Sequence, residues 1–75
     1  VALAVLPGVV YTTGQLLDMA RLAEGARRRD VVLLLDLSHS VGAVPHHLDE
    51  WGVDAAFWCG YKYLNGGPGA AAGLY

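Results

Sequence analysis

Two charged residues stand at the ends of apolar runs, where a charge is unusual. Lys62 follows the apolar run 55–59 and Gly60, and Asp36 ends the apolar run 31–35. Burial at a strand end destabilises an ammonium and lowers its pKa, which prepares a lysine to attack a carbonyl carbon. Taken alone, Lys62 is better explained as a surface lysine, and it is Asp36 that changes the interpretation.

The run that ends in Asp36 shows no polar–apolar alternation, which is typical of a parallel strand covered on both faces. Open α/β sheets bind their ligands at the carboxyl ends of such strands. If strands 31–36 and 53–59 are parallel neighbours, about 4.8 Å apart, one heteroaromatic ring can contact both Asp36 and Lys62. A Schiff-base lysine and an aspartate at a pyridinium nitrogen are the groups that proteins supply to pyridoxal 5'-phosphate (PLP). The sequence therefore predicts PLP as the cofactor.

The elements that must position these residues alternate along the chain. The predicted elements are a strand over 1–6, a helix opened by a Thr12/Gln15 capping box, a strand over 31–36, a short helix within 45–52, a strand over 53–59 and a strand over 69–75. A strand–helix–strand order predicts a right-handed crossover between parallel strands. The Gly-rich connection after Lys62 is too short for a crossover helix, so the final strand should be antiparallel. The predicted fold class is α/β, a mainly parallel β-α-β-α-β sheet with a final antiparallel strand.

Composition indicates part of a larger domain. The 75 residues are 55% hydrophobic and 16% charged, against about 25% charged in ordinary soluble domains. We therefore expect residues 1–75 to be a piece of a larger domain rather than a working unit by themselves. The net charge of −2 argues against nucleic acid or an anionic membrane as partner. The single cysteine, Cys59, fits a reducing compartment and is interpreted as a core filler.

The sequence disfavours a hydrolytic triad among the residues that end and follow the second predicted strand. Asp36, Ser38, His39 and Ser40 are close in sequence, but the Gly-x-Ser-x-Gly turn that exposes a nucleophilic serine is missing. Two roles stay open for His39. It is either a core histidine bonded to a backbone carbonyl, or its imidazole lies against the face of the heteroaromatic ring that Asp36 holds.

Other motifs favour structural roles. His46, His47 and Asp49 lack a second ligand pair at a suitable spacing, so no metal is expected and both histidines should face solvent. The segment 66–69 (Gly-Gly-Pro-Gly) either cradles a phosphate or forms a tight turn, and the turn is favoured. A dinucleotide-binding fold would need a Gly-x-Gly-x-x-Gly turn after the first strand, and Pro7-Gly8 does not replace it.

Taken together, several blocks resemble the kynureninases, PLP enzymes of the aspartate-aminotransferase fold, over essentially the whole chain. The blocks are Leu6-Pro7-Gly8, Tyr11-x-Thr13-Gly14-Gln15, Asp36-Leu37-Ser38-His39-Ser40-Val41-Gly42, Trp51-Gly52-Val53-Asp54 and Tyr61-Lys62-Tyr63-Leu64-Asn65-x-Gly67. The Tyr-Lys-Tyr-Leu-Asn block is specific, whereas Asp-x-x-His is shared by many PLP enzymes. The family usually has Ser or Thr at Pro7, and proline lacks that hydroxyl.

The resemblance implies hydrolysis of L-kynurenine, or 3-hydroxy-L-kynurenine, to an anthranilate and L-alanine, in tryptophan catabolism and NAD biosynthesis, by a cytoplasmic homodimer. It also implies that residues 1–75 are part of the PLP-binding large domain and that this piece is inactive alone. It implies that Lys62 carries the Schiff base and shuttles protons and that Asp36 pairs with the pyridinium nitrogen. It places His39 close to the cofactor. It also implies that the Tyr61 hydroxyl donates a hydrogen bond to the cofactor phosphate and that Tyr61 assists proton transfer.

Two alternatives stay open within this fold. One is another PLP enzyme, such as a cysteine desulfurase or a related aminotransferase, although those tend to have His where Tyr61 precedes Lys62. The other is an inactive truncated scaffold.

Overall fold

A computed structural model describes residues 2–75 as a four-stranded sheet, a small hairpin and two helices. The strands are β1 (Ala2–Pro7), β2 (Val9–Val10), β3 (Gln15–Leu16), β4 (Val31–Asp36), β5 (Ala55–Trp58) and β6 (Gly73–Leu74), and the helices are α1 (Met19–Arg28) and α2 (Leu48–Trp51). Position 1 of the predicted first strand lies outside the described residues. Among residues 2–75, no helix is both long enough and apolar enough to cross a membrane.

The strand order in the larger sheet is β1-β4-β5-β6. Strands β1, β4 and β5 are parallel, and β6 runs antiparallel to β5. The predicted fold class is thus confirmed, because helix α1 supplies the crossover from β1 to β4 while a glycine-rich loop connects β5 to β6. The register sets Pro7 beside Asp36 and Asp36 beside Phe57.

The core lies on one face of the sheet, where α1 packs. Successive side chains of a strand point to opposite faces, so alternate residues of β4 reach this core. Its buried members are Met19, Ala23, Leu33, Leu35, Leu37, Val53 and Ala56. On the opposite face Leu3 and Val5 of β1 and Leu74 of β6 remain exposed, Leu74 by 79%.

The predicted capping box is wrong, because Gln15 and the residue after it form strand β3 and lie before the first helix. Val9 and Val10 pair with Leu16 and Gln15 in a two-stranded hairpin, so this segment precedes the helix. The N-cap of α1 is Asp18, whose Oδ1 accepts a hydrogen bond of 3.1 Å from the Arg21 N–H. Aspartate at this position satisfies one of the free amides of the first helical turn.

The last two strands are shorter than predicted. The predicted strand 53–59 is reduced to Ala55–Trp58, and the predicted strand 69–75 to Gly73–Leu74. Asp54 stands just before β5, and its Oδ2 accepts a hydrogen bond of 2.8 Å from the Leu33 N–H. The side chain thereby replaces a backbone partner at the start of the β4–β5 ladder.

Candidate functional site

The site is built on the edge where the three parallel strands end. Beyond their last paired residues, the Gly8 N–H donates to the Asp36 carbonyl at 2.9 Å, and the Leu37 N–H donates to the Phe57 carbonyl at 2.8 Å. The loops that follow β1, β4 and β5 therefore leave the sheet side by side. This is the edge at which open α/β sheets bind ligands.

Asp36 is half-buried at the end of β4. Its Oδ1 accepts a hydrogen bond of 3.0 Å from the Ser38 N–H, and Ser38 Oγ accepts one of 3.3 Å from the Cys59 N–H. These bonds orient the carboxylate and join the loop after β4 to the end of β5. The structure thus ties Asp36 to the chain segment that carries Lys62.

Lys62 is half-buried in the loop after β5. Its Nζ donates to Tyr61 Oη at 3.1 Å and to Cys59 Sγ at 3.2 Å, and it lies 4.6 Å from the centroid of the Tyr61 ring. The hydrogen bond to Tyr61 and then that to Cys59 raise the pKa of Lys62, and these effects outweigh the loss of hydration. The expectation that burial lowers this pKa is therefore wrong, because two acceptors stabilise the ammonium.

Cys59 is half-buried rather than part of the core, so its interpretation as a core filler is wrong. Burial raises the pKa of the Cys59 thiol, but the hydrogen bonds from Lys62 and Ser38 outweigh that effect and hold the pKa below its usual value. The low pKa favours the thiolate, which is the reactive form of cysteine. Sequence reasoning missed this contact with Lys62, although the spacing of three residues across a glycine was a usable signal.

Two backbone hydrogen bonds hold the loop that carries Lys62, residues 60–66. The Gly66 N–H donates to the Gly60 carbonyl at 2.8 Å, and the Asn65 N–H donates to the Lys62 carbonyl at 3.1 Å. Asn65 has a positive φ of 60°, a conformation that asparagine tolerates better than most residues. These bonds fix the backbone from which the Lys62 side chain extends.

The glycine-rich end of the loop is a turn. The Ala70 N–H donates to the Gly67 carbonyl at 3.1 Å across Pro68 and Gly69. Gly67 and Gly69 both have φ of 78°, which residues with a Cβ rarely adopt. The hydrogen bond and the φ angles are those of the favoured tight turn.

His39 lies between two tyrosines that come from other loops. Its ring is stacked on Tyr11, with centroids 5.8 Å apart and planes inclined by 25°. Tyr63 meets it edge-on at 6.5 Å and 78°. Tyr63 follows Lys62 directly, so the His39 ring contacts the loop that carries the lysine.

His46 and His47 make contacts that support the fold. His46 is half-buried rather than solvent-facing, and its Nε2 lies 3.0 Å from Oγ of the fully buried Ser40. Burial lowers the pKa of His46. His47 is exposed, as predicted, and packs edge-on against Trp51. No group of three His, Cys, Asp or Glu side chains within residues 2–75 could hold a metal ion.

The amino-acid sequence matches a known enzyme family over nearly the whole chain. The sequence profile of the class-V aminotransferases matches residues 1–72. The chain belongs to the class-V aminotransferase family. It is 57% identical over all 75 residues to a kynureninase of Geobacillus thermodenitrificans and 56% identical to one of Bacillus cereus. The predicted resemblance to kynureninases is confirmed, and the chain spans 18% of the length of these relatives.

Solved structures of other enzymes share the fold. A cysteine desulfurase from Escherichia coli superimposes with a TM-score of 0.86 at 23% identity, over 99% of this chain and 18% of that chain. An alanine–glyoxylate aminotransferase from Nostoc sp. gives a TM-score of 0.77 at 34% identity, over 97% of this chain and 18% of that chain. The β-α-β arrangement on which Asp36 and Lys62 lie is therefore found in a cysteine desulfurase and in an aminotransferase.

Proposed function

We propose that residues 1–75 are part of the large PLP-binding domain of a kynureninase. The whole protein would act as a homodimer that hydrolyses L-kynurenine or 3-hydroxy-L-kynurenine to an anthranilate and L-alanine. The observation that carries this proposal is the 57% identity to a kynureninase over the whole chain. The placement of Asp36 and Lys62 at neighbouring strand ends supports it.

The donor set fits PLP. The cofactor needs an amine at its aldehyde and an anion at its ring nitrogen. Asp36 ends β4, and Lys62 lies in the loop that leaves the adjacent parallel strand β5. Neighbouring strands are about 4.8 Å apart, so the loop that carries Lys62 leaves the sheet beside the end of β4. When bound, the cofactor supplies an electron-accepting ring that stabilises negative charge on the substrate.

Asp36 would hold a proton on the ring nitrogen. Its Oδ1 is engaged by the Ser38 N–H at 3.0 Å, which fixes the orientation of the carboxylate. The other oxygen, Oδ2, would then be available to accept a hydrogen bond from the ring N–H. An ionised carboxylate close to a pyridinium favours the protonated ring.

Lys62 would attach the cofactor and move protons. Its amine has to lose a proton before it bonds to the aldehyde, and the contacts that raise its pKa oppose this step. Cys59 Sγ lies 3.2 Å from Nζ and, as a thiolate, would accept that proton and return it; Tyr61 Oη, 3.1 Å from Nζ, would do so once it has given up its own proton. Tyr61 would also bind the cofactor phosphate, as the resemblance implies.

Pro7 sets this chain apart from the usual family pattern. It is paired in register with Asp36, so the hydroxyl that Ser or Thr would carry there is missing beside the cofactor site. Because proline has no hydroxyl to donate, we expect weaker cofactor binding than in relatives that have one.

Borohydride reduction of the whole protein with PLP tests cofactor attachment. Reduction fixes the bond between the lysine and the cofactor, and peptide mapping then locates it. Lys62 is the only lysine among the 75 residues, so a label in this segment identifies it, and a Lys62→Arg variant is the control. A parent protein without label on Lys62 would favour the inactive scaffold.

The reaction itself is tested by product formation. The whole protein should release anthranilate from kynurenine, and it should not transfer sulfur from cysteine. The second candidate, a cysteine desulfurase, is favoured only by the shared fold. Sulfur transfer without anthranilate release would replace the first proposal with the second.

A further inference from the structure

Tyr11 occupies a position that core packing does not explain. It begins the turn between β2 and β3, and its side chain is 77% exposed. Exposed tyrosines usually have no fixed neighbour, yet this ring is stacked on His39 with planes inclined by 25°. A different loop therefore supplies the contact that covers the imidazole.

The stack determines the orientation of the His39 ring. The torsion that turns an imidazole about its last bond has broad minima, so the rotamer alone does not fix the ring plane. Within residues 2–75 the imidazole has no side-chain hydrogen bond. Tyr11 on the face of the ring and Tyr63 at 78° to it are the contacts that hold the plane.

The three rings connect three loops at the carboxyl edge of the sheet. Tyr11 belongs to the hairpin after β1, His39 to the loop after β4, and Tyr63 to the loop after β5. Tyr63 is covalently next to Lys62, and His39 is three residues from Asp36. The orientation of His39 is thus linked to both groups assigned to the cofactor.

We propose that His39 contacts PLP, as the resemblance implies, and that Tyr11 is a positioning residue that fixes the plane of the His39 imidazole for this contact. This inference rests on the proposed function and deepens it. Tyr11 acts through His39 and needs its ring rather than its hydroxyl, because the contact is between ring faces.

The test uses the whole protein and measures PLP affinity and the circular dichroism of the bound cofactor. Tyr11→Ala should weaken PLP binding by about two- to tenfold, the range expected from one aromatic contact, and should reduce the visible dichroic band. Tyr11→Phe should restore both. The matched control is Leu16→Ala, which shortens another exposed side chain on the same hairpin and should leave both unchanged.

A double-mutant cycle separates positioning from direct contact. If Tyr11 acts through His39, Tyr11→Ala should cause no further loss of affinity in a His39→Ala background. Additive losses, or a Tyr11→Ala variant that behaves like Leu16→Ala, would overturn the positioning role while Lys62 is still labelled by borohydride. A parent protein whose Lys62 takes no label would overturn the proposed function and this inference together.

Discussion

The loop that carries Lys62 should depend on the absence of a side chain at Gly66. A Cβ built on Gly66 would lie 2.6 Å from the Gly60 carbonyl oxygen and 2.6 Å from Ala70 Cβ. Contacts between such atoms normally need more than 3 Å, so the backbone of the loop has to move. That movement breaks the hydrogen bond from the Gly66 N–H to the Gly60 carbonyl, which is 2.8 Å long.

The expected cost of Gly66→Ala follows from these two effects. Overpacking costs about 1–3 kcal/mol, and the lost hydrogen bond adds about 0.5–1.5 kcal/mol. We therefore expect the free energy of unfolding to fall by about 2–4 kcal/mol. Urea unfolding followed by circular dichroism measures this change directly.

The adjacent glycine provides a matched control. A Cβ on Gly67 meets nothing within 4 Å, but the residue has a positive φ of 78°. Gly67→Ala should therefore cost only the left-handed conformation, about 1–2 kcal/mol. If Gly66→Ala destabilises the protein no more than Gly67→Ala does, the steric argument for the loop is wrong.

Three further predictions concern single side chains. Asp54→Ala should lower the free energy of unfolding by about 1–3 kcal/mol, because it leaves the buried Leu33 N–H without its acceptor; Asp54→Asn, which keeps an acceptor oxygen, should recover much of the loss in the same urea titration. The alkylation rate of Cys59 by iodoacetamide should reach half its maximum at a lower pH than for an ordinary thiol, because the hydrogen bond from Lys62 lowers the pKa of Cys59. Lys62→Met should move that pH upward. An unchanged pH–rate profile in this variant would contradict the contact between Cys59 and Lys62. Burial lowers the pKa of His46 in the folded chain. The free energy of unfolding should therefore be highest above the ordinary histidine pKa of about 6.5 and should fall as the pH drops below it. A His46→Gln variant should lack this part of the pH dependence when unfolding is measured from pH 8 to pH 5.

The sheet was the part of the fold that the sequence specified best. The bounds of β4 are those predicted, because a run of five apolar residues closed by Asp36 has no competing helical period. The parallel pairing followed from the strand–helix–strand order, and the antiparallel pairing followed from the short connection after Lys62. The hairpin was missed because strands of two residues, such as Val9–Val10, are too short to show any periodicity.

The environment of the candidate site was less predictable. Sequence placed Asp36 and Lys62 at strand ends, but the direction of the Lys62 pKa depends on which atoms surround Nζ. Tyr61 is adjacent in sequence, and Cys59 is three residues away, yet only the turn at Gly60 brings Sγ within 3.2 Å of the amine. Side-chain contacts made by a loop depend on its conformation, which hydrophobic patterns do not encode.

The uncovered face of the sheet has a consequence for handling the protein. Within residues 2–75, β1 is the outermost strand on its side of the sheet, and it exposes Leu3 and Val5 beside an open backbone edge. Strands of this kind pair readily with strands of other molecules and lead to aggregation. Preparations of the 75-residue chain should therefore become turbid as they are concentrated, and a lysine in place of Val5 should keep them clear.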